Sequence, residues 1–583
     1  MGKKGVTSLS QHKLKPMIVQ SDFTLLLESK HPLAEEAKEA IGGFAELRKS
    51  PEGIHTYRIT PLTLWNAAAQ GAEAEGIIAA LERYAKFGVP TSVVKEIRQY
   101  VNRYGLVRME REGSQLVLRC DDQEVLKQIS SYDALRKYWE PSPAGTRAIA
   151  VRLAERGAVK QELMRLGFPV VDLAGYEEGE SLAIQLRDSL RSSGRAFRLR
   201  DYQQEAVEAF YKGGSASGGN GGLVLPCGAG KTVIGIGAMA RLGKATLILT
   251  TNSTSVSQWK RELLDKTTLT EDDIGEYAGD RKEVRRVTIT TYQMLTHRRT
   301  KDAPFSHMKL FRERPWGLIV YDEVHLLPAP VFRATAEIQA TRRLGLTATL
   351  VREDGREEDV FSLIGPKRFE VPWKRLESQG WIARVECCEV RVPMAEAELE
   401  RYRKAAAREQ HRIAGENSRK TEAVIRLLAK HEDAPTLIIG QYLDQLRSIA
   451  GALGVPLITG ETPASERERL YKRFRDGEIG ILAVSKVANF ALDLPDAEVA
   501  IQVSGSFGSR QEEAQRLGRI LRSKEGGKKA YFYSLVSDET KELDFALKRQ
   551  MFLVEQGYKY KSVVFDELLQ EASIEKSKGD QAG

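Results

Sequence analysis

The chain has 583 residues, 42% of them hydrophobic and 29% charged, with a formal net charge of +8. That is length for about four domains at ~150 residues each; the apolar content excludes a disordered chain, and the basic excess points toward nucleic acid without proving it. Its four cysteines, Cys120, Cys227, Cys387 and Cys388, form no C-x-x-C pair, which argues against disulfides, structural zinc and iron–sulfur clusters, and no run approaches the ~18 apolar residues of a membrane span. The expectation is a soluble cytoplasmic protein with no membrane partner.

Residues 1–120 carry no catalytic motif. Pro61–Gln70, Gly76–Phe87 and Thr91–Tyr104 read as three helices, followed by strands at Leu106–Glu110 and Gln115–Arg119, a winged-helix-like accessory domain that binds DNA or packs against the rest of the chain. Residues 121–196 alternate strand and helix patterns, with Ala148–Leu153 strand-like and Lys160–Leu166 helical, and read as a small α+β domain. From residue 197 onward, short β-branched apolar runs alternate with helical patterns, the signature of parallel α/β sheets whose ligands sit at the strands' carboxyl ends. One set (Leu223–Leu225, Thr246–Thr250, Val287–Thr290, Leu318–Tyr321, Leu344–Thr347) defines a domain over 197–375. A second (Thr436–Ile439, Ile481–Val484, Val499–Val503, Ala530–Ser534) defines one over 376–536, leaving 537–583 as a C-terminal tail. Gly213–Gly222 reads as a flexible loop, and about 396–420 as a basic helical insert containing Arg401, Arg403, Lys404, Arg408, Arg412, Arg419 and Lys420.

The most informative stretch is Leu223-Val-Leu-Pro-Cys-Gly-Ala-Gly-Lys-Thr232, an apolar strand entering a glycine loop. In the loop formed by Pro226, Cys227, Gly228, Ala229 and Gly230, the backbone N–H groups that follow the proline wrap phosphate oxygens only where side chains are small; Lys231 neutralises the β and γ phosphates and Thr232 reaches Mg²⁺. Leu225 stands where the common spacing puts a first glycine, so Pro226 and Gly228 do the turning. Leu318-Ile-Val-Tyr-Asp-Glu-Val-His325 delivers two carboxylates from a strand end: Asp322 for the Mg²⁺ shell and Glu323 for the attacking water. In Ser509–Arg522, helical spacing puts Gln515, Arg519 and Arg522 on one stripe, suited to the developing charge on a γ-phosphate. Gln203 is a candidate reader of the adenine edge, and Thr347-Ala-Thr349 offers small hydroxyls for signalling between domains. ATP and Mg²⁺ are the ligands these residues suit. Thr251, Lys486 and the basic insert are candidate grips on DNA phosphates, without sequence readout.

With Cys227–Thr232, Asp322–His325, Thr347–Thr349 and Gln515–Arg522 in this order, the chain resembles superfamily 2 helicases. It is most similar to the XPB repair and transcription helicase family, in particular its bacterial members. Supporting residues are Leu225–Thr232, Tyr321–Pro328, Arg352-Glu353-Asp354, Ser485–Pro495, Phe552–Tyr558, Ile18–Glu28 and Ile54–Pro61; the stretch Ala488–Ala491 departs from family members of other kingdoms. The resemblance implies an α/β fold of two RecA-like parallel-sheet motor lobes with N-terminal α+β accessory domains, and an ATP-dependent 3′→5′ DNA helicase or duplex translocase acting in nucleotide excision repair. It further implies that the domain near 121–196 is damage-recognition-like, that Arg352, Glu353 and Asp354 form a strand-separating motif contacting DNA at single-strand/duplex junctions, and that 396–420 occupies the place of a DNA-gripping thumb. Protein partners stay open, a repair nuclease or other repair proteins among them. So do three rivals: a translocase that remodels without separating strands, an RNA helicase, and a DNA-damage-binding scaffold with an ATPase switch.

Overall fold

A computed structural model describes residues 15–566 apart from 51–52, 114, 141–147, 227, 299, 301–302, 340, 349–351, 353–354, 486–496, 506–528, 556–557 and 559. The chain divides into a first unit whose main body runs to Val371 and a second whose main body begins at Pro372, with the short segments Lys49–Pro51 and Pro226–Ala229 grouped with the second.

The first unit opens with a small sheet absent from the sequence-based expectation: β1 (Met17–Val19), β2 (Thr24–Glu28), β3 (Glu46–Lys49) and β4 (Ile54–Arg58), in the order β1-β2-β4-β3. Three helices follow where the sequence predicts them, Pro61–Ala69, Ala74–Tyr84 and Thr91–Arg103. The first starts sharply because Thr60 and Thr63 cap each other's backbone N–H and Pro61 occupies a position that needs no donor. The hairpin β5 (Val107–Glu112) and β6 (Gln115–Cys120) does not end this domain as a wing. It is the middle of a five-stranded sheet with β7 (Trp139–Glu140), β8 (Ala148–Val151) and β9 (Val170–Asp172), in the order β7-β8-β6-β5-β9. The expected boundary at residue 120 is therefore corrected. Leu116, Val117 and Leu118 are all buried, so β6 is apolar on both faces and has to lie between neighbours.

This small domain and the N-terminal helices are packed on the sheet that follows them. A Cβ on Gly157, in the helix Arg156–Arg165, would lie 2.3 Å from the Ala336 carbonyl oxygen in the helix Ala329–Glu337. Gln161 donates to Asp359 at 2.9 Å, Trp65, Met164 and Phe361 form one buried cluster, and Asn66 accepts from the Lys367 N–H. Arg156 and Lys160 both bind Asp172 in the interior, and Tyr176 lies against Arg156, Arg342 and Arg343.

The large sheet of the first unit comprises β10 (Asn220–Val224), β11 (Thr246–Thr250), β12 (Ile274–Ala278), β13 (Arg281–Lys282), β14 (Val287–Thr291), β15 (Leu318–Asp322), β16 (Arg342–Thr347) and β17 (Lys367–Glu370), in the order β13-β12-β14-β11-β15-β16-β10-β17. Apart from the antiparallel β12–β13 hairpin, its strands pair in parallel. Both faces of β11 and β14 are covered, hence their unbroken apolar and threonine runs. The expected loop Gly213–Gly222 stops early, because Asn220–Gly222 is already strand. Glycine serves close approach there: a Cβ on Gly221 would lie 2.5 Å from Arg368 Cγ and 2.6 Å from the Pro366 carbonyl oxygen.

The second unit is built on β18 (Val385–Val392), β19 (Thr436–Gly440), β20 (Leu457–Ile458), β21 (Ile481–Ser485), β22 (Val499–Gln502), β23 (Ala530–Ser537) and β24 (Tyr560–Val564), all paired parallel in the order β20-β21-β19-β22-β23-β18-β24. The residues expected as a tail are corrected accordingly. Helix Glu542–Glu555 packs on β23, and β24 pairs with β18 residue for residue from Cys387↔Tyr560 to Arg391↔Val564. The basic stretch forms the helices Glu396–Lys404 and Ala407–Gly415 and the start of Arg419–Lys430. Arg401, Arg403 and Lys404 are exposed, but Lys420 is fully buried and bound to Glu542 at 2.9 Å, so it belongs to the core and not to a DNA-facing surface.

Candidate active site

Strand β10 delivers the glycine loop. Leu225 still donates to Thr347 in β16, so the strand runs one residue further than glycine-first spacing would allow, and the turn starts at Pro226, whose carbonyl accepts from the Ala229 N–H. Gly228 and Gly230 have φ of +81° and +77°, a region that penalises a Cβ. Gly230 caps the helix Lys231–Leu242, whose first-turn N–H groups lack intrahelical acceptors and face the loop. Cys227 lies outside the described residues. A Cβ on Gly230 would lie 2.7 Å from Gln203 Nε2. The Gln203 amide oxygen accepts from the Arg200 N–H at 3.0 Å, so this buried amide caps its own helix and lines the loop.

Strand β15 brings the carboxylates to the same place. Lys231 Nζ lies 3.0 Å from Glu323 Oε1, and Glu323 has φ of +51°, a strained conformation for a non-glycine residue at the point where its side chain leaves the strand. Burial works to raise the Glu323 carboxyl, but Lys231 and then His325 overcome it and lower its pKa. Asp322 moves the other way. Burial, then the neighbouring charge of Glu323, pushes it up to about 6. The Trp259 indole N–H donates to Asp322 Oδ2 at 2.9 Å, and Tyr292 donates to the Asp322 carbonyl at 2.9 Å. His325, held near pKa 4 by burial, shares a 2.7 Å hydrogen bond between Nδ1 and Thr347 Oγ1. These residues fit a nucleoside triphosphate with its divalent metal: a helix start and small-residue loop for phosphate, a half-buried carboxylate and a hydroxyl for the ion, and a second carboxylate beside them.

Of the three residues expected to separate strands, Arg352 alone is described. Its side chain is 9% exposed, donates to the carbonyls of His325 at 2.6 Å and Leu327 at 3.2 Å, and lies 4.9 Å from the centre of the Phe332 ring. A guanidinium stacked and satisfied in this way braces the backbone after Glu323. Thr251 is half-buried just past β11, accepting from Asn252 Nδ2. Glu353, Asp354, Lys486, Gln515, Arg519 and Arg522 lie outside the described residues, as does Thr349. Sequence reasoning missed Trp259 and Tyr292. A signal for the first was present in Gly235, a glycine inside a helix.

Comparison with known proteins assigns the family. The chain is 53% identical to a protein named DNA 3′-5′ helicase XPB from Kineococcus radiotolerans, across 95% of this chain and 97% of that one. The chain belongs to the XPB family of DNA helicases. An XPB of the same name from Mycobacterium tuberculosis is 52% identical over 95% of this chain and 98% of its own length. The XPB named as a helicase/translocase subunit of general transcription and DNA repair factor IIH in Encephalitozoon cuniculi is 35% identical over 94% of this chain and 82% of that protein. The family model described as ERCC3/RAD25/XPB C-terminal helicase matches residues 376–581, that of the type III restriction enzyme res subunit matches 196–352, and that of the helicase conserved C-terminal domain matches 17–139. XPB proteins are ATP-using helicases, and the two large parallel sheets described above are the RecA-like lobes of that fold. Among the described residues no helix is long and apolar enough to cross a membrane.

Proposed function

We propose that this chain is an ATP-dependent 3′→5′ DNA helicase that opens duplex DNA in nucleotide excision repair. The observation that carries the reading is the 3.0 Å pairing of Lys231 with Glu323 beside Asp322, at the mouth of a loop whose glycines hold positive φ. The polarity and the repair setting rest on the names of the relatives. Thr232 and Asp322 would hold Mg²⁺, which supplies charge neutralisation at the β and γ phosphates.

The chain's own residues then divide the work. Lys231 serves Glu323 in the nucleotide-free state and turns to the phosphates when ATP enters; losing that cation raises the proton affinity of Glu323 as it is needed to take a proton from the attacking water. Arg519 and Arg522, with Gln515 on the same stripe, supply the positive charge that the γ-phosphoryl group demands in the transition state. Thr251 and Lys486 hold DNA through phosphates, so binding weakens steeply with salt.

The test is ATP hydrolysis by wild type and Lys231→Ala with no nucleic acid, single-stranded DNA, duplex DNA and RNA, followed by unwinding of substrates with 3′ or 5′ overhangs. DNA-stimulated turnover lost in the variant and unwinding only from a 3′ overhang are expected; turnover indifferent to DNA overturns the reading. A second reading, translocation on duplex DNA without strand separation, is favoured by one observation: Arg352 is bound into the backbone at His325 and Leu327 and is not presented as a wedge. Displacement of a triplex-forming strand without unwinding would select it.

A further inference from the structure

Trp259 is a large residue to bury completely, at 1% exposure, and its surroundings are specific. It lies on the helix Ser253–Lys266, which Asn252 starts by accepting from the Ser255 N–H. From there it crosses to two elements of the nucleotide site. Its indole N–H reaches Asp322 Oδ2 at 2.9 Å, and its six-membered ring lies where Gly235 lacks a side chain, since a Cβ on Gly235 would be 2.5 Å from Trp259 Cη2. Gly235 is one helical turn after Lys231, so the ring rests on the face of the phosphate-binding helix that follows the lysine. An interior helical glycine is destabilising relative to alanine. The chain carries that cost at a position where alanine would push the indole away from Asp322.

The chemistry of the donor matters. A carboxylate that must attract a cation is best oriented by a neutral donor, because lysine or arginine at that place would cancel the charge the metal needs. An indole N–H has one direction and no charge, and accepts nothing.

We propose that Trp259 is a positioning residue for Mg²⁺: its N–H fixes the rotation of the Asp322 carboxylate, and Gly235 exists to admit the ring that does so. The inference rests on the reading of Asp322 as the Mg²⁺-holding carboxylate. It predicts that Trp259→Phe, which keeps an aromatic ring over Gly235 and deletes the N–H, weakens Mg²⁺ binding to the protein–ADP complex by about 10- to 100-fold, the usual effect of losing a partner that orients a metal ligand.

The experiment is calorimetric titration of the full chain with ADP in EDTA, and of the protein–ADP complex with Mg²⁺. Metal-free ADP affinity is expected to stay at the wild-type value while Mg²⁺ affinity falls, and in the Asp322→Asn background Trp259→Phe is expected to add nothing. Equal loss of metal-free ADP and Mg²⁺ affinity, or unchanged Mg²⁺ affinity, overturns the proposal. If the phenylalanine variant melts before these titrations, β-(3-benzothienyl)alanine at position 259 retains the bicyclic shape without the N–H and is read by the same criteria. A wild-type protein whose ADP complex binds no Mg²⁺ would sink the nucleotide-site reading itself, whereas a wild-type response preserved in Trp259→Phe sinks only the role of Trp259.

Discussion

Gly157 sets two physical effects of opposite sign against each other. In the helix Arg156–Arg165, alanine in place of glycine gains up to about 1 kcal/mol of helix propensity. At this glycine the new Cβ would lie 2.3, 2.6 and 2.8 Å from the carbonyl oxygen, Cα and carbonyl carbon of Ala336. Those are backbone atoms of a second helix and cannot rotate aside, so the two helices must separate by about 1 Å, straining a packed contact that overpacking studies place at 1–3 kcal/mol. The same shift pulls on the Gln161–Asp359 hydrogen bond and on Met164 in its cluster with Trp65 and Phe361. Gly157→Ala is therefore expected to destabilise the first unit by about 1 kcal/mol net, or roughly 1–3 °C in melting temperature for a unit of this size. Gly76, exposed in the helix Ala74–Tyr84 with nothing within 4 Å of its missing Cβ, is the control, and Gly76→Ala is expected to stabilise. Thermal and urea unfolding of the three proteins decide the matter. A Gly157→Ala variant as stable as Gly76→Ala would refute the close packing of the small domain on the helix that follows the Asp-Glu-Val-His motif.

Glu542→Gln leaves Lys420 charged and buried without its carboxylate, and should cost about 3–5 kcal/mol in urea unfolding of the second unit. Arg352→Lys cannot keep both carbonyl bonds and the stack on Phe332, so ATP turnover and strand separation should fall together; loss of unwinding at wild-type turnover would restore the wedge role. His325 is held at about 4 against an ordinary 6.5, so it favours the folded state fully above pH 6.5 and loses that advantage as pH falls toward 4, about 3 kcal/mol in all. Melting of nucleotide-free, metal-free protein across that range should be less pH-dependent in His325→Asn than in wild type.

The parallel sheets were legible because strands covered on both faces need unbroken apolar runs, and Thr246–Thr250, Val287–Thr291 and Thr436–Gly440 have them. The nucleotide loop and Asp322–His325 were legible for a related reason, since phosphate and metal chemistry restricts which residues can stand at a strand's end. Strands β3 and β4 were not, because Ile54-His-Thr-Tyr-Arg58 and Glu46-Leu-Arg-Lys49 carry few apolar residues and their burial depends on neighbours remote in sequence. Partners distant along the chain also hid the sheet that joins β6 to β8 and the true place of Arg352, since a charged residue after a strand says nothing of the carbonyls it will meet. Trp259 was hidden likewise: its target, Asp322, is 63 residues away.

The pairing of β24 with β18 has a consequence for biosynthesis. β18 is made early in the second unit and β24 late, with some 170 residues between Val392 and Tyr560. Until β24 leaves the ribosome, the long strand β18 presents an open row of backbone N–H and carbonyl groups, a template for pairing with another nascent chain. Once docked, β24 turns the exposed side chains of Lys561, Ser562 and Val564 outward and covers that edge of β18. A stop codon at position 560 would leave the newborn protein with that earlier edge for good, and its expected fate is inclusion bodies.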